Sequence, residues 1–392
     1  MAEPQEVQLH IMTANGDKET KPGEDHDTTC VPNQSTINSQ KRYYRWLRIA
    51  IYTILVLLGQ AAATLLGRLY YEKGGKSTWM GSLVQLIGFP VLLPYYCIPT
   101  PKNPTRNNIH SEQPSLRMLA LIYVSIGLLL ALDCYLYSLG LLYLPVSTFS
   151  LITSSQLAFN ALFSFFLNSV EFTPFIINSL VLLTISSILL VFQTDSATSD
   201  STEVSKGKYA IGFICTVAAS AVYGLILSLT QFVFRKVFKR ETFKVIIDMI
   251  IYRSLVASCA TVVGLFASGE WKGLKREMEG YEMGKASYLL NLTWTAILWK
   301  LFSLGSVGLI FEVSSLFSNA IIVLGLPIVP ILAIIFFHEK MHGIKAISMV
   351  LAVWGFISYV YQQYLDDCKS NNTANKNTDK GPKASPPEEI NK

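Results

Sequence analysis

The stretch Ser138-Leu-Gly-Leu-Leu-Tyr-Leu-Pro-Val-Ser-Thr-Phe-Ser150 lines up without a gap on Ser306-Val-Gly-Leu-Ile-Phe-Glu-Val-Ser-Ser-Leu-Phe-Ser318, at an offset of 168 residues (306 minus 138). At the same offset Glu171, in Phe165-Phe-Leu-Asn-Ser-Val-Glu-Phe-Thr-Pro174, falls opposite Glu339, in Ala333-Ile-Ile-Phe-Phe-His-Glu-Lys-Met-His342 (339 minus 171). Two matched blocks at one offset mark an internal repeat. The apolar runs around them give five helices to each half, and an odd number turns the second half over relative to the first. Inverted helical repeats are the architecture of many secondary transporters, with the substrate held at the repeat interface near the midplane.

Working outward, the composition agrees with a membrane protein. Of 392 residues 51% are hydrophobic and 15% charged, where a soluble domain carries charge on roughly a quarter. The charges crowd into residues 1–48, a few loops and the tail from Asp366. Between Ile49 and Leu365 recur continuous apolar runs long enough for the ~20 residues that a spanning helix needs, without the alternation of lipid-facing strands. These predict ten helices, at 47–68, 79–98, 118–140, 146–167, 174–193, 209–232, 245–267, 294–311, 314–336 (with Pro327 and Pro330) and 344–364. The expected organisation is a disordered tail over 1–42, a first five-helix repeat over 43–200, a second over 201–366 and a disordered tail over 367–392. Residues 1–40 lack the apolar core of a signal peptide. The six cysteines show neither CxxC nor metal spacing, and no basic-aromatic stretch points to nucleic acid.

Orientation follows from Lys and Arg beside helix ends. Lys41, Arg42, Arg45 and Arg48 precede the first helix, Lys102, Arg106 and Arg117 fill the second connection, and Arg235, Lys236, Lys239, Arg240 and Lys244 fill the sixth. The fifth sets Asp195, Asp200 and Glu203 against Lys206 and Lys208. Ten helices then leave both termini in the cytosol, with the plasma membrane as the default address. The sequon Asn291-Leu-Thr293 falls outside but close to the membrane, and those at Asn33 and Asn371 fall in the cytosol.

Ionisable residues within spans are costly and therefore functional candidates. Asp133 in the third helix is the candidate carrier of a coupled proton. Lys300 in the eighth stands one residue from its repeat equivalent (133 plus 168 is 301), so the two are expected to face each other as a buried pair. Glu312, at the turn between the eighth and ninth helices, is a capping, gating or coupling candidate. Arg253 lies deeper in the seventh helix than Asp248. Glu171 and Glu339 mark turns. Among side chains in spans, those suited to hold a small organic molecule are aromatic faces and amides that both donate and accept. Gln156 and Asn160, four apart on one helix face, are the leading pair, followed by Gln60, Gln85, Tyr137, Tyr223, Trp299 and Asn319. Trp79 reads as an interfacial anchor.

At individual segments the chain resembles the plant purine permeases of the drug/metabolite transporter superfamily. The segments are Leu69-Tyr-Tyr-Glu-Lys-Gly-Gly-Lys-Ser-Thr-Trp79, Gln85-Leu-Ile-Gly-Phe-Pro90, Leu141-Leu-Tyr-Leu-Pro-Val-Ser-Thr-Phe-Ser-Leu151, Gln156-Leu-Ala-Phe-Asn160, Ser314-Ser-Leu-Phe-Ser-Asn319, Phe336-Phe-His-Glu-Lys-Met341 and Trp354-Gly-Phe-Ile-Ser-Tyr359. The resemblance covers about residues 43–366. It implies proton-coupled import of purine bases and purine-like heterocycles, including adenine and cytokinins. Other members carry alkaloids or vitamin B6 forms. It implies no cofactor besides the proton gradient, and as partners a small purine-like molecule and the lipid bilayer. From another class, His338-Glu339-Lys-Met-His342 has the spacing of a zinc hydrolase, but the run ends a helix with no third ligand in view.

Overall fold

Each helix starts or stops where the local chemistry requires it. The structure, a computed structural model, describes residues 34–97, 115–169, 203–238 and 243–325, with isolated residues between 174 and 185 and between 332 and 365. Helix α1 spans Gln34–Glu72. After a turn at Gly74, whose φ of 110° suits glycine, Ser77 caps α2 (Thr78–Ile87) by accepting from the Met80 amide. A 3-10 turn over Phe89–Cys97 continues it. Ser115 caps α3 (Leu116–Tyr143) in the same way, and Pro145 forces Leu144 into extended backbone and ends it. Then come α4 (Val146–Thr153), α5 (Gln156–Asn168), α6 (Glu203–Val233) closing in a π turn over Phe234–Phe238, and α7 (Phe243–Ala267). A 3-10 turn (Glu270–Gly273) and the short α8 (Leu274–Glu279) lead to α9 (Lys285–Glu312) and α10 (Ser315–Gly325). The described residues from Arg45 onward form one compact unit.

Among the described residues, seven helical stretches are long and apolar enough to cross a membrane: Tyr43–Glu72, Thr78–Cys97, Leu116–Tyr143, Thr148–Asn168, Gly207–Phe238, Phe243–Ala267 and Lys285–Glu312. The chain is thus an all-helical, multi-pass membrane protein. Most of the helices predicted at 174–193 and 344–364 lie outside the described residues, as do Pro327, Pro330, Glu171, Glu339, His338, His342, Asn33 and Asn371.

Two expectations are corrected. The helix predicted at 146–167 is two segments, and at the junction hydroxyls bond back to their own turn, a pairing that bends helices: Thr153 Oγ1 donates to the Phe149 carbonyl (2.8 Å) and Ser154 Oγ to that of Leu151 (2.6 Å). The helix predicted at 294–311 begins at Lys285, which places Asn291 inside α9 at 6% exposure, so the sequon is not a free acceptor. Hydropathy missed this first stretch because inward side chains in it, Tyr288 and Asn291, are polar.

Helix α3 packs on α6 and α7, α5 on α6 and α10, and α2 on α3, α7 and α9. Where α1 crosses α9 the backbones meet. A Cβ at Gly305 would stand 2.6 Å from the Tyr52 carbonyl oxygen, and one at Gly59 2.9 Å from the Phe302 nitrogen. The segment before α9 clasps the start of α2. Glu277 accepts from the amides of Lys76 and Ser77 (both 3.1 Å) and from the hydroxyls of Tyr70 (2.5 Å) and Tyr288 (3.1 Å). Glu270 accepts from Ser77 Oγ (2.6 Å), Thr78 Oγ1 (3.2 Å) and the Trp79 amide (3.2 Å). Both carboxylates thus satisfy amides at a helix N-terminus, where the dipole favours negative charge.

Candidate binding cavity

A cavity of about 80 Å³ lies among α1, α2, α3, α4, α5, α6, α7, α9 and α10. That is several times the roughly 10–15 Å³ a single water requires. One part of its wall is aromatic. Phe149, Tyr137, Tyr223, Phe302 and Trp299 follow one another with ring centroids 5.7, 6.5, 6.5 and 5.3 Å apart, and all five line the cavity. Gln60 and Thr64 from α1, Gln85 from α2 and Gln156 from α5 add polar groups, as do Thr153 and Ser303. Three ionisable side chains complete it: Asp133 from α3, Arg253 from α7 and Lys300 from α9, exposed by 2%, 5% and 1%.

The hydrogen bonding around this space is incomplete. Gln85 Nε2 donates to the Gly81 carbonyl (3.2 Å) and Ser138 Oγ (3.1 Å), and Tyr137 donates its hydroxyl proton to Gln156 Oε1 (3.3 Å). Among the described residues, Gln60 Oε1, Asp133 Oδ1, Gln156 Nε2 and Arg253 Nε have no partner. Buried polar atoms without partners cost about 1–3 kcal/mol each and are uncommon in folded chains. Two acceptors and two donors here await one.

The structure brings together nine residues singled out from the sequence: Gln60, Gln85, Asp133, Tyr137, Gln156, Tyr223, Arg253, Trp299 and Lys300. It does not pair Asp133 with Lys300. Lys300 Nζ donates to Ser254 Oγ (3.0 Å), and among the described residues neither group forms a salt bridge. Asn160 and Asn319 lie off the cavity. Asn160 donates to the Ser315 carbonyl (3.2 Å) and accepts from Ser228 Oγ (2.7 Å), joining α5, α6 and α10. Asn319 donates to the Gln156 carbonyl (3.1 Å), which ties the wall residue to α10. Thr64, Thr153 and Ser303 were not singled out as ligands. Small hydroxyl residues in spans ordinarily serve packing, and nothing in their spacing separates the two roles.

Glu312 lies elsewhere, at the far end of α9. It accepts from Arg48 Nε (2.7 Å) and a terminal Arg48 nitrogen (3.2 Å), while Arg45 donates to its carbonyl (2.8 Å). These groups border a recess of about 700 Å³. One apolar cluster separates the recess from the cavity: Tyr52 and Ile310 line the recess, Leu227, Phe302 and Ile322 the cavity. At the opposite end a chamber of about 30 Å³, lined by Tyr70, Tyr71, Asn291 and Thr295, shares Gln85, Leu141 and Trp299 with the cavity. Beyond it stands the Glu277 clasp. Trp79, expected as an interfacial anchor, stacks on Tyr135 at 4.4 Å. Asp248 accepts from the Tyr96 hydroxyl, away from the cavity.

Comparison with known proteins agrees with the resemblance drawn from the motifs. The family profile described as purine nucleobase transmembrane transport matches residues 47–369. The chain is 58% identical over 360 residues to probable purine permease 10 of Arabidopsis thaliana, covering 92% of each chain. It is likewise 58% identical over 363 residues to purine permease 21 of the same plant, covering 93% of this chain and 92% of the relative.

Proposed function

The chain belongs to the plant purine permease family, and we propose that it imports purine bases and purine-like heterocycles such as adenine or cytokinins, driven by protons. The family's members are transporters and not enzymes, which sets aside the zinc-hydrolase reading of His338, Glu339 and His342. One observation carries the substrate reading: one cavity joins an aromatic wall to amides and to donors and acceptors that are unpartnered among the described residues. A purine presents a flat ring and an edge of alternating donors and acceptors. Tyr137, Tyr223 and Trp299 offer the face, and Gln60, Gln85 and Gln156 the edge contacts. Asn160 and Asn319 brace that wall. Asp133, without a cationic partner among the described residues, is the proton carrier; Lys300, on the same cavity wall, is the second coupling candidate, and Glu312 latches the end of α9. No cofactor besides the proton gradient is required.

The proposed architecture is ten helices in two inverted sets of five, with both termini cytosolic and the plasma membrane as the site of action. Its support is the aligned sequence blocks and the matching turns: α3 stops at Tyr143 and α4 resumes at Val146, while α9 stops at Glu312 and α10 resumes at Ser315.

The test is labelled-adenine uptake in yeast lacking its own purine carrier. Uptake should appear with the gene and vanish with a protonophore. Uptake that persists without a proton gradient overturns the coupling. Competition by adenine, cytokinin, pyridoxine and an alkaloid then ranks the substrates. Displacement by pyridoxine or the alkaloid but not by adenine would move the substrate to another heterocycle on the same fold.

A further inference from the structure

We propose that the recess at the Arg45–Glu312 end is a second binding site, for a phosphate-bearing ligand with an apolar or aromatic body, of which a purine nucleotide is the soluble example. Three guanidinium groups, Arg45, Arg48 and Arg235, line this space of about 700 Å³, against one carboxylate, Glu312. Arg48 is committed to Glu312 through two nitrogens, at 2.7 and 3.2 Å. Arg45 gives one terminal nitrogen to the Glu312 carbonyl and keeps its remaining N–H groups. Arg235 makes no hydrogen bond or ion pair among the described residues. The lining is left with an excess of two positive charges, and a phosphate monoester carries about −1.5 to −2. Guanidinium forks match phosphate oxygens bidentately.

The rest of the lining is suited to the body of such a ligand. Phe234, Phe243, Phe311 and Ile246 face the same space, with Phe234 and Phe311 edge to face at 5.6 Å. Arg235 belongs to the π turn Phe234–Phe238 that ends α6. Such wide turns occur often at functional sites. The apolar layer of Tyr52, Leu227, Phe302 and Ile310 keeps this site apart from the central cavity. That the recess faces the cytosol, where nucleotides abound, rests on the topology proposed above; binding itself does not. The arginines also fit the charge rule for cytosolic helix ends, but that role needs only charge. Lysine preserves charge and topology and abolishes the fork.

The experiment measures ligand binding to the purified full-length chain in detergent by calorimetry, using AMP, adenosine, inorganic phosphate and a short-chain phosphatidic acid, each with and without excess adenine. AMP should bind more tightly than adenosine or phosphate and be indifferent to adenine. R235K and R45K should each weaken AMP at least about tenfold, since hydrogen bonds to charged groups are worth roughly one such factor or more, and leave adenine binding unchanged. Binding of phosphatidic acid but not AMP, lost in the same variants, upholds phosphate recognition and assigns the phosphate to the bilayer. AMP binding no tighter than adenosine, together with phosphatidic acid binding that the lysine variants do not alter, overturns the proposal. Loss of adenine uptake in cells bears on the transport reading alone, because AMP binding is read without transport.

Discussion

Asp133 enters the cavity wall from α3 with an oxygen that nothing in the described structure partners. A carboxylate in that position is useful only if a proton or a ligand completes it. Asp133→Asn should therefore lower uphill adenine accumulation at least about tenfold while adenine exchange down its gradient survives. Equal accumulation by variant and parent would remove Asp133 from the coupling. Gln156 and Asn160 are one helical turn apart, and their substitutions should part company. Gln156→Ala removes a cavity amide and should raise the half-saturating adenine concentration about tenfold, the worth of one well-placed hydrogen bond. Asn160→Ala breaks the α5–α6–α10 connection and should cost about 1–3 kcal/mol of stability, read as a lower melting temperature in detergent with half-saturation little changed. Sequence spacing put both residues on one face. It could not say that this face is shared between a void at Gln156 and two neighbouring helices at Asn160, because spacing fixes direction and not what stands opposite.

For the elements, hydropathy located the spans and the polar residues located the breaks only in retrospect. The α4–α5 interruption falls at hydroxyl residues that look like ordinary small residues in an apolar run, and the start of α9 was hidden by inward polar side chains. Glycine is more telling. At Gly305 a Cβ would sit 2.6 Å from the Tyr52 carbonyl oxygen, and backbone cannot give way as a side chain can. Gly305→Val should force α1 and α9 apart at a cost of about 1–3 kcal/mol or more, visible as a lower midpoint in thermal unfolding followed by size-exclusion chromatography. Gly207, whose Cβ would meet nothing within 4 Å, is the control: Gly207→Ala should not lower that midpoint, since alanine is the better helix former.

For the molecule as a whole, the cavity is bounded by different materials at its two ends. Toward the recess the barrier is apolar, the layer around Tyr52 and Phe302. Toward the other end it is a polar clasp, with Glu270 and Glu277 from the segment before α9 gripping the start of α2. The sequence disclosed the first, since apolar side chains in spans announce a core. Glu270 and Glu277 were invisible, because loop carboxylates ordinarily face water and nothing in their spacing says which amides they will meet. The clasp has a mechanical consequence. Beside it the Glu282 amide donates to the Lys73 carbonyl at 3.1 Å, and the Lys73 ammonium meets the Glu282 carboxylate at 3.0 Å. Cysteines in place of Lys73 and Glu282 would turn this seam into a fastening that an oxidant closes and a reductant opens. If adenine must pass this end, the oxidised double variant should stop accumulating it and dithiothreitol should restart uptake within one sample of cells; undiminished uptake with the cross-link formed would show that the seam never parts.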